Sequence, residues 1–213
     1  MQYYKKKTIK VAVTGGAGSG KTSVCNILKK MGAQVVFSDV IAKEVVSPGT
    51  PAYNNIINFF GKGVLKANGF LNRKMLRSII VNDDSVRNAL EKIVHPEIIK
   101  FIQLKMNKAE KDVNSFVFVE IPLLFELYLD DLFDLVIMVS ADYELRIERL
   151  MCRDKVSRYD AESLFGLQMP EKEKIERAEL VIKNNSSIEQ LIKSVEILYS
   201  KLIRKYEKSI ENA

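Results

Sequence analysis

Thr8-Ile-Lys-Val-Ala-Val-Thr14, followed by Gly15-Gly-Ala-Gly-Ser-Gly20-Lys21-Thr22, is the stretch on which the fold turns. Its first half is apolar and β-branched, which predicts a buried strand. Its second half matches G-x-x-x-x-G-K-[ST] at every fixed position. Val24, Ile27, Leu28 and Met31 then recur at helical spacing, predicting a helix from about Gly20 to Met31 with Gly32 as its stop. In a strand–glycine turn–helix, successive backbone N–H groups point inward at an anion and the helix N-terminus adds partial positive charge. Nucleoside triphosphate binding follows, with Gly18, Ser19, Gly20, Lys21, Thr22 and Ser23 around the phosphates. Lys21 is expected at the β- and γ-phosphates of ATP, and the Thr22 hydroxyl on Mg²⁺.

Working outward, Ala33-Gln-Val-Val-Phe37 predicts a second strand that ends at Ser38-Asp39, and Pro48-Gly49 and Pro51 then break the chain. From about Ala52 to Lys111 only helices and turns are expected. Asn72 and Asn82 or Asp83 are N-cap candidates, and Pro96 is expected to open a new helix. Ser115–Ile121 and Leu135–Val139 are apolar runs typical of a central parallel sheet. A helix is expected from Asp142 to about Asp154, two helical pieces around Pro170, a short strand at Leu180–Ile182, and a long amphipathic helix over 187–208. Strands alternating with helices predict a three-layer α/β fold with a parallel sheet. The helical block between strands two and three is the natural place for an inserted substrate-binding subdomain.

The chain has 213 residues and a formal net charge of +6, with a sequence pI near 9.1. Such a pI invites a nucleic-acid reading, but the location of the charge argues against it. Lys5, Lys6, Lys7 and Lys10 at the start, with Lys201, Arg204, Lys205 and Lys208 against Glu207 and Glu211 at the end, account for the whole excess. Basic ends of this kind are solvated tails, and no nucleic-acid partner is expected. The two cysteines, Cys25 and Cys152, lack metal-ligand spacing and point to a reducing compartment. The most apolar stretch, Phe116 to Leu129, is broken by Glu120 and Glu126 and is too short to span a bilayer. A cytoplasmic protein without a membrane partner is expected, as a monomer or small homo-oligomer.

Among phosphate-loop proteins, a regulatory GTPase is excluded by the absence of any Asp-x-x-Gly switch. The nearest approach to a guanine-reading Asn-Lys-x-Asp is Asn107-Lys-Ala-Glu110, which lacks the Asp. A small-molecule kinase fits better. Asp39 lies directly after the second strand, and open α/β sheets bind ligands beyond the carboxyl ends of their strands. A carboxylate there can orient or deprotonate an attacking hydroxyl. Arg146, Arg149 and Arg153 share one helix face, suited to neutralising charge on a transferring phosphoryl group. Residues 154–177 are charged enough to form a water-excluding lid. His95, the only histidine, is read as structural or substrate-packing. Other readings kept open are a nucleoside monophosphate or shikimate-type kinase, a non-enzymatic nucleotide sensor and, from the pI alone, a nucleic-acid binder.

Several segments together resemble the dephospho-CoA kinase family over nearly the whole chain. They are Val13–Thr22; Asp39 with Ile41-Ala42 and Pro48-Gly49; Ile93-Val-His-Pro96; Ile121-Pro-Leu-Leu-Phe-Glu126; Arg149 with Arg153-Asp154; Gln168; and Val181-Ile-Lys-Asn184. The resemblance implies transfer of the ATP γ-phosphoryl group to the ribose 3′-hydroxyl of dephospho-CoA, the last step of coenzyme A synthesis. It implies a nucleotide-binding core over residues 1–39, 113–142 and 179–213, a helical CoA-binding domain over 40–112 and a lid over 143–178. It casts Asp39 as the base and Arg149 as catalytic beside Lys21. It puts Arg153 and Asn184 at ATP, and Arg77 and His95 with Asp39 at the acceptor. One departure is visible: the family's Asp-Ala-Asp is Phe37-Ser38-Asp39 here. A metal-holding role of the first acid must then fall elsewhere, with Glu120 the candidate.

Overall fold

A computed structural model describes residues 8–111 and 116–211 of the chain. Lys5, Lys6 and Lys7 of the basic start, Ser115 of the third predicted strand, and residues 212–213 lie outside the described residues, as do the side chains of residues 207–211. Five strands form one sheet: β1 (Ile9–Thr14), β2 (Gln34–Phe37), β3 (Phe116–Glu120), β4 (Leu135–Ser140) and β5 (Leu180–Lys183). Their order across the sheet is β2-β3-β1-β4-β5. β1 runs parallel to β3, with Ile9 beside Phe116 and Val13 beside Glu120, and parallel to β4; β4 in turn is parallel to β5. The central strands are buried on both faces, so Val11, Ala12, Val13, Val117, Phe118 and Val119 are all inaccessible to solvent. This is why they read as continuous apolar runs rather than as alternating ones.

The chain divides into two compact units, residues 1–36 with 109–213, and residues 37–108. The first unit holds the sheet with α1 (Lys21–Lys30), α6 (Tyr143–Asp154), α7 (Arg158–Gly166), α8 (Glu171–Arg177) and α9 (Ile188–Glu211). α9 packs on α1 and β5, and its Tyr199 meets the Phe118 ring edge-on at 5.8 Å between centroids. Gly32, with φ of 88°, takes the left-handed turn after α1 that a side chain would resist. A groove of about 710 Å³ between β5 and α9 includes no phosphate-loop residue in its lining, so it is separate from the site described below.

The second unit holds α2 (Ser38–Glu44), α3 (Pro51–Phe60), α4 (Arg73–Asn82) and most of α5 (Asp84–Lys111). Its core is Tyr53, Ile56, Val64, Leu71 and Leu76, with Leu90, Ile93 and Val94 of α5 packed against it. The side chains of Thr50 and Asn72 cap α3 and α4 by accepting N–H bonds from Tyr53 and Met75. Asp83 does the same for α5, accepting from Ser85 and Val86.

Two sequence expectations are corrected here. Pro96 does not open a helix; it lies inside α5, which runs through it. An internal proline forfeits one helical hydrogen bond. The helix continues because its residues on either side of the proline are packed, Leu90, Ile93 and Val94 on the unit's core and Ile102 and Met106 in buried positions. The chain also does not pass from β2 straight into a break. It forms α2 first, seven residues of which only Ser38 and Ile41 are buried, too short and too exposed for periodicity to announce.

Candidate active site

The phosphate loop bridges β1 and α1 as the motif requires. Gly18 and Gly20 adopt φ of 76° and 93°, the left-handed region that glycine enters without steric cost. A Cβ at Gly18 would sit 2.5 Å from the Arg146 carbonyl oxygen, and one at Gly20 would run into Asn184 Nδ2. Glycine is thus demanded twice over at each, by torsion and by close approach. Lys21, 8% exposed, donates from Nζ to the carbonyls of Gly15 at 2.9 Å and Gly16 at 3.0 Å. Its ammonium is thereby curled over the loop.

Thr22 is the second residue of α1, and its hydroxyl donates to Oε1 of Glu120 at 2.7 Å. Glu120 ends β3 and is 5% exposed. Two hard oxygen donors meet there at the mouth of the loop, a set suited to a divalent cation such as Mg²⁺. Cys25, one turn further along α1, is fully buried. Burial, with Glu120 nearby adding to it, pushes its thiol well above the ordinary range.

Asn184, just past β5, donates from Nδ2 to the Ser19 carbonyl at 2.8 Å and from its backbone to Ser140 at 2.8 Å. Arg149 of α6 donates from Nη2 to the Asn184 carbonyl at 3.0 Å, with Nη1 3.5 Å from the Gly18 carbonyl. Arg153 is exposed and forms a two-pronged pair with Asp154 at 2.6 and 2.7 Å. Ser23 is half-buried on α1. Asp39 is exposed as the second residue of α2, immediately after β2. Arg77 is exposed on α4, and His95 is half-buried on α5, lining a groove with Glu91, Lys92 and Ile99. The loop thus gathers Lys21, Thr22, Glu120, Arg149 and Asn184 around itself within the first unit, whereas Asp39, Arg77 and His95 belong to the second.

Helical phase groups Arg146 with Arg149 and Arg153 as suited to a transferring phosphoryl group, but the side chain of Arg146 is engaged elsewhere. In the structure Arg146 is 5% exposed, donates from Nε to the Ala17 carbonyl at 2.8 Å, pairs through Nη1 with Glu171, and lies 4.1 Å over the Phe165 ring. Gln168 accepts the Ala17 N–H at 2.9 Å. Glu126 accepts the Met169 N–H at 2.9 Å and pairs with the fully buried Lys174 at 2.5 Å. The stretch connecting α7 to α8 is therefore seated on the phosphate loop. On the outer side, Arg158 forks onto Glu144 at 2.8 and 2.9 Å and holds that carboxyl below its usual range. No signal in a single sequence joins positions this far apart.

A phosphate loop at the end of a parallel sheet, ringed by a lysine, arginines and a threonine–carboxylate pair, defines a P-loop phosphotransferase of the small-molecule kinase type. A shikimate kinase from Acinetobacter baumannii shares the fold, with a TM-score of 0.52 at 14% identity over 94% of this chain and 96% of its own. A dephospho-CoA kinase from Campylobacter jejuni superposes with a TM-score of 0.70 at 28% identity, covering 91% of this chain and 96% of that one. A Geobacter sulfurreducens dephospho-CoA kinase is 38% identical over 191 residues, 90% of this chain and 97% of the relative. The CoaE dephospho-CoA kinase family model matches residues 9–190. The chain belongs to the dephospho-CoA kinase family.

Proposed function

We propose that this protein transfers the γ-phosphoryl group of ATP to the ribose 3′-hydroxyl of dephospho-CoA, giving coenzyme A and ADP. The observation that carries the reading is a complete phosphate loop in a chain that matches the dephospho-CoA kinase family over residues 9–190. Backbone N–H groups of residues 18–23 and the Lys21 ammonium hold the ATP phosphates, and Lys21 exchanges its carbonyl partners for phosphate oxygens. Arg149 and Asn184, already on the loop backbone at Gly18 and Ser19, add positive charge and donors where charge develops. Arg153 exchanges Asp154 for nucleotide.

Thr22 and Glu120 hold Mg²⁺, which when bound neutralises charge between the phosphates. Glu120 thereby replaces the acid missing at Phe37. Asp39 accepts the proton of the acceptor hydroxyl or aligns it for in-line attack. Its exposure directly after a sheet strand supports this, since that end of the strand is where open α/β sheets take ligands. Arg77 and His95 contact the acceptor, with residues 40–112 as its binding domain and residues 143–178 as the lid. Two unpaired thiols, Cys25 and Cys152, fit a cytoplasmic setting.

An ADP-release assay with ATP·Mg²⁺ and dephospho-CoA, AMP, adenosine or shikimate as acceptor tests the reading. Dephospho-CoA is expected to be turned over far faster than the rest; equal rates with AMP or adenosine would overturn the assignment.

A further inference from the structure

The outermost part of the phosphate loop, Gly16-Ala-Gly18, carries no side chain larger than a methyl group. Such a segment loses more backbone entropy on ordering than any other, so its shape must be held from outside. Ala17 is held on both of its peptide groups. Its carbonyl accepts from Arg146 Nε at 2.8 Å, and its N–H donates to Gln168 Oε1 at 2.9 Å. One partner comes from α6 and the other from the α7–α8 connection. The two are themselves linked, because Arg146 pairs with Glu171 at the start of α8 and stacks on Phe165 at the end of α7.

We infer that Arg146 and Gln168 are positioning residues, which clamp Ala17 and so hold the phosphate loop in its phosphate-accepting shape. This inference rests on the reading that the loop binds ATP phosphates. Arg146 is not itself a phosphate ligand: one edge of its guanidinium is spent on Ala17, another on Glu171, and one face on Phe165, leaving it 5% exposed. Gln168 likewise spends its carbonyl oxygen on the loop. A loop pre-formed in this way binds ATP without first losing that conformational freedom. The clamp also makes the seating of the α7–α8 connection and the shape of the loop one event.

The test is the ATP·Mg²⁺ dissociation constant of the full-length chain, measured by calorimetry without acceptor and alongside Tm. The variants are Gln168→Ala, Arg146→Ala, Arg146→Lys and the double Arg146→Ala/Gln168→Ala. Each single alanine variant is expected to weaken ATP binding by about tenfold, the scale of one lost hydrogen bond to a preorganised group. The double is expected to weaken it by less than the product of the singles, because both act on one residue. Arg146→Lys is expected not to restore affinity, since an ammonium cannot serve Ala17 and Glu171 together as the planar fork does. Wild-type affinity in Gln168→Ala, or a lowered Tm with unchanged affinity, would overturn the inference. So would a double variant equal to the product. Gln168 is only part-buried, so its variant carries the test even where Arg146→Ala fails to fold. A wild-type protein that binds ATP yet leaves dephospho-CoA untouched would sink the acceptor assignment and leave the clamp standing.

Discussion

Thr22 and Glu120 are joined by a 2.7 Å hydrogen bond across 98 positions of sequence, the hydroxyl donating to Oε1. The bond exists because β3 lies beside β1 in parallel register, which brings the last residue of β3 to Val13 and hence to the root of the phosphate loop. It sets a carboxylate where the motif alone supplies only a hydroxyl.

Replacing Glu120 by Gln should therefore act through the metal. The Mg²⁺ concentration for half-maximal ADP release is expected to rise by about tenfold or more, the usual cost of losing a carboxylate at or just behind a metal site. A Mg²⁺ titration of both proteins checks this, and an unchanged midpoint removes Glu120 from the metal site.

Asp39→Asn separates binding from chemistry. If Asp39 handles the acceptor proton, kcat is expected to fall by about a hundredfold or more, while ATP affinity stays at the wild-type value. Steady-state kinetics with a parallel ATP titration read both quantities. Near-normal turnover would take the proton-handling role away from Asp39.

Tyr128 predicts a stabilising change. It holds φ of 53° with 81% of its surface exposed, so little packing offsets a left-handed backbone. Leu129 N–H donates to the Leu124 carbonyl around it at 3.0 Å, a turn that suits glycine. Tyr128→Gly is expected to gain about 1 kcal/mol, which for a chain of this size is a rise in Tm of roughly 2–4 °C. A thermal melt decides it; a fall in Tm would mean that the ring contributes more than its exposure indicates.

The two thiols should differ sharply. Cys25 is fully buried and its thiol is pushed far up by burial, whereas Cys152 is exposed. A thiol reagent is expected to modify Cys152 in the native protein and Cys25 only after denaturation. The unfolded chain loses the Cys25 proton above about pH 8.5 while the native state keeps it. Stability therefore declines as pH climbs past that value. Rapid native labelling of Cys25 would contradict its burial.

Much of the architecture was legible in the chain itself. Strands buried on both faces must be apolar throughout, so β1, β3 and β4 announced themselves. The phosphate loop did too, because its glycines, lysine and threonine are fixed by local geometry at fixed spacing. α2 was not legible, since seven residues with two buried positions carry no period. Pro96 misled for a related reason: local preference opposes a proline inside a helix, and packing along α5 overrides it.

The sequence by itself determined that a strand, an anion-holding turn and a helix stand in succession, and that Lys21 and Thr22 project from that turn. Those features depend on neighbours a few residues away. Only the tertiary structure decided that Glu120 meets Thr22, that Asn184 and Arg149 meet the loop backbone, and that Arg146 and Gln168 close on the two sides of Ala17. Each of those pairs is separated by tens to more than a hundred residues. Strand order and helix seating, not spacing along the chain, bring such partners within hydrogen-bond reach.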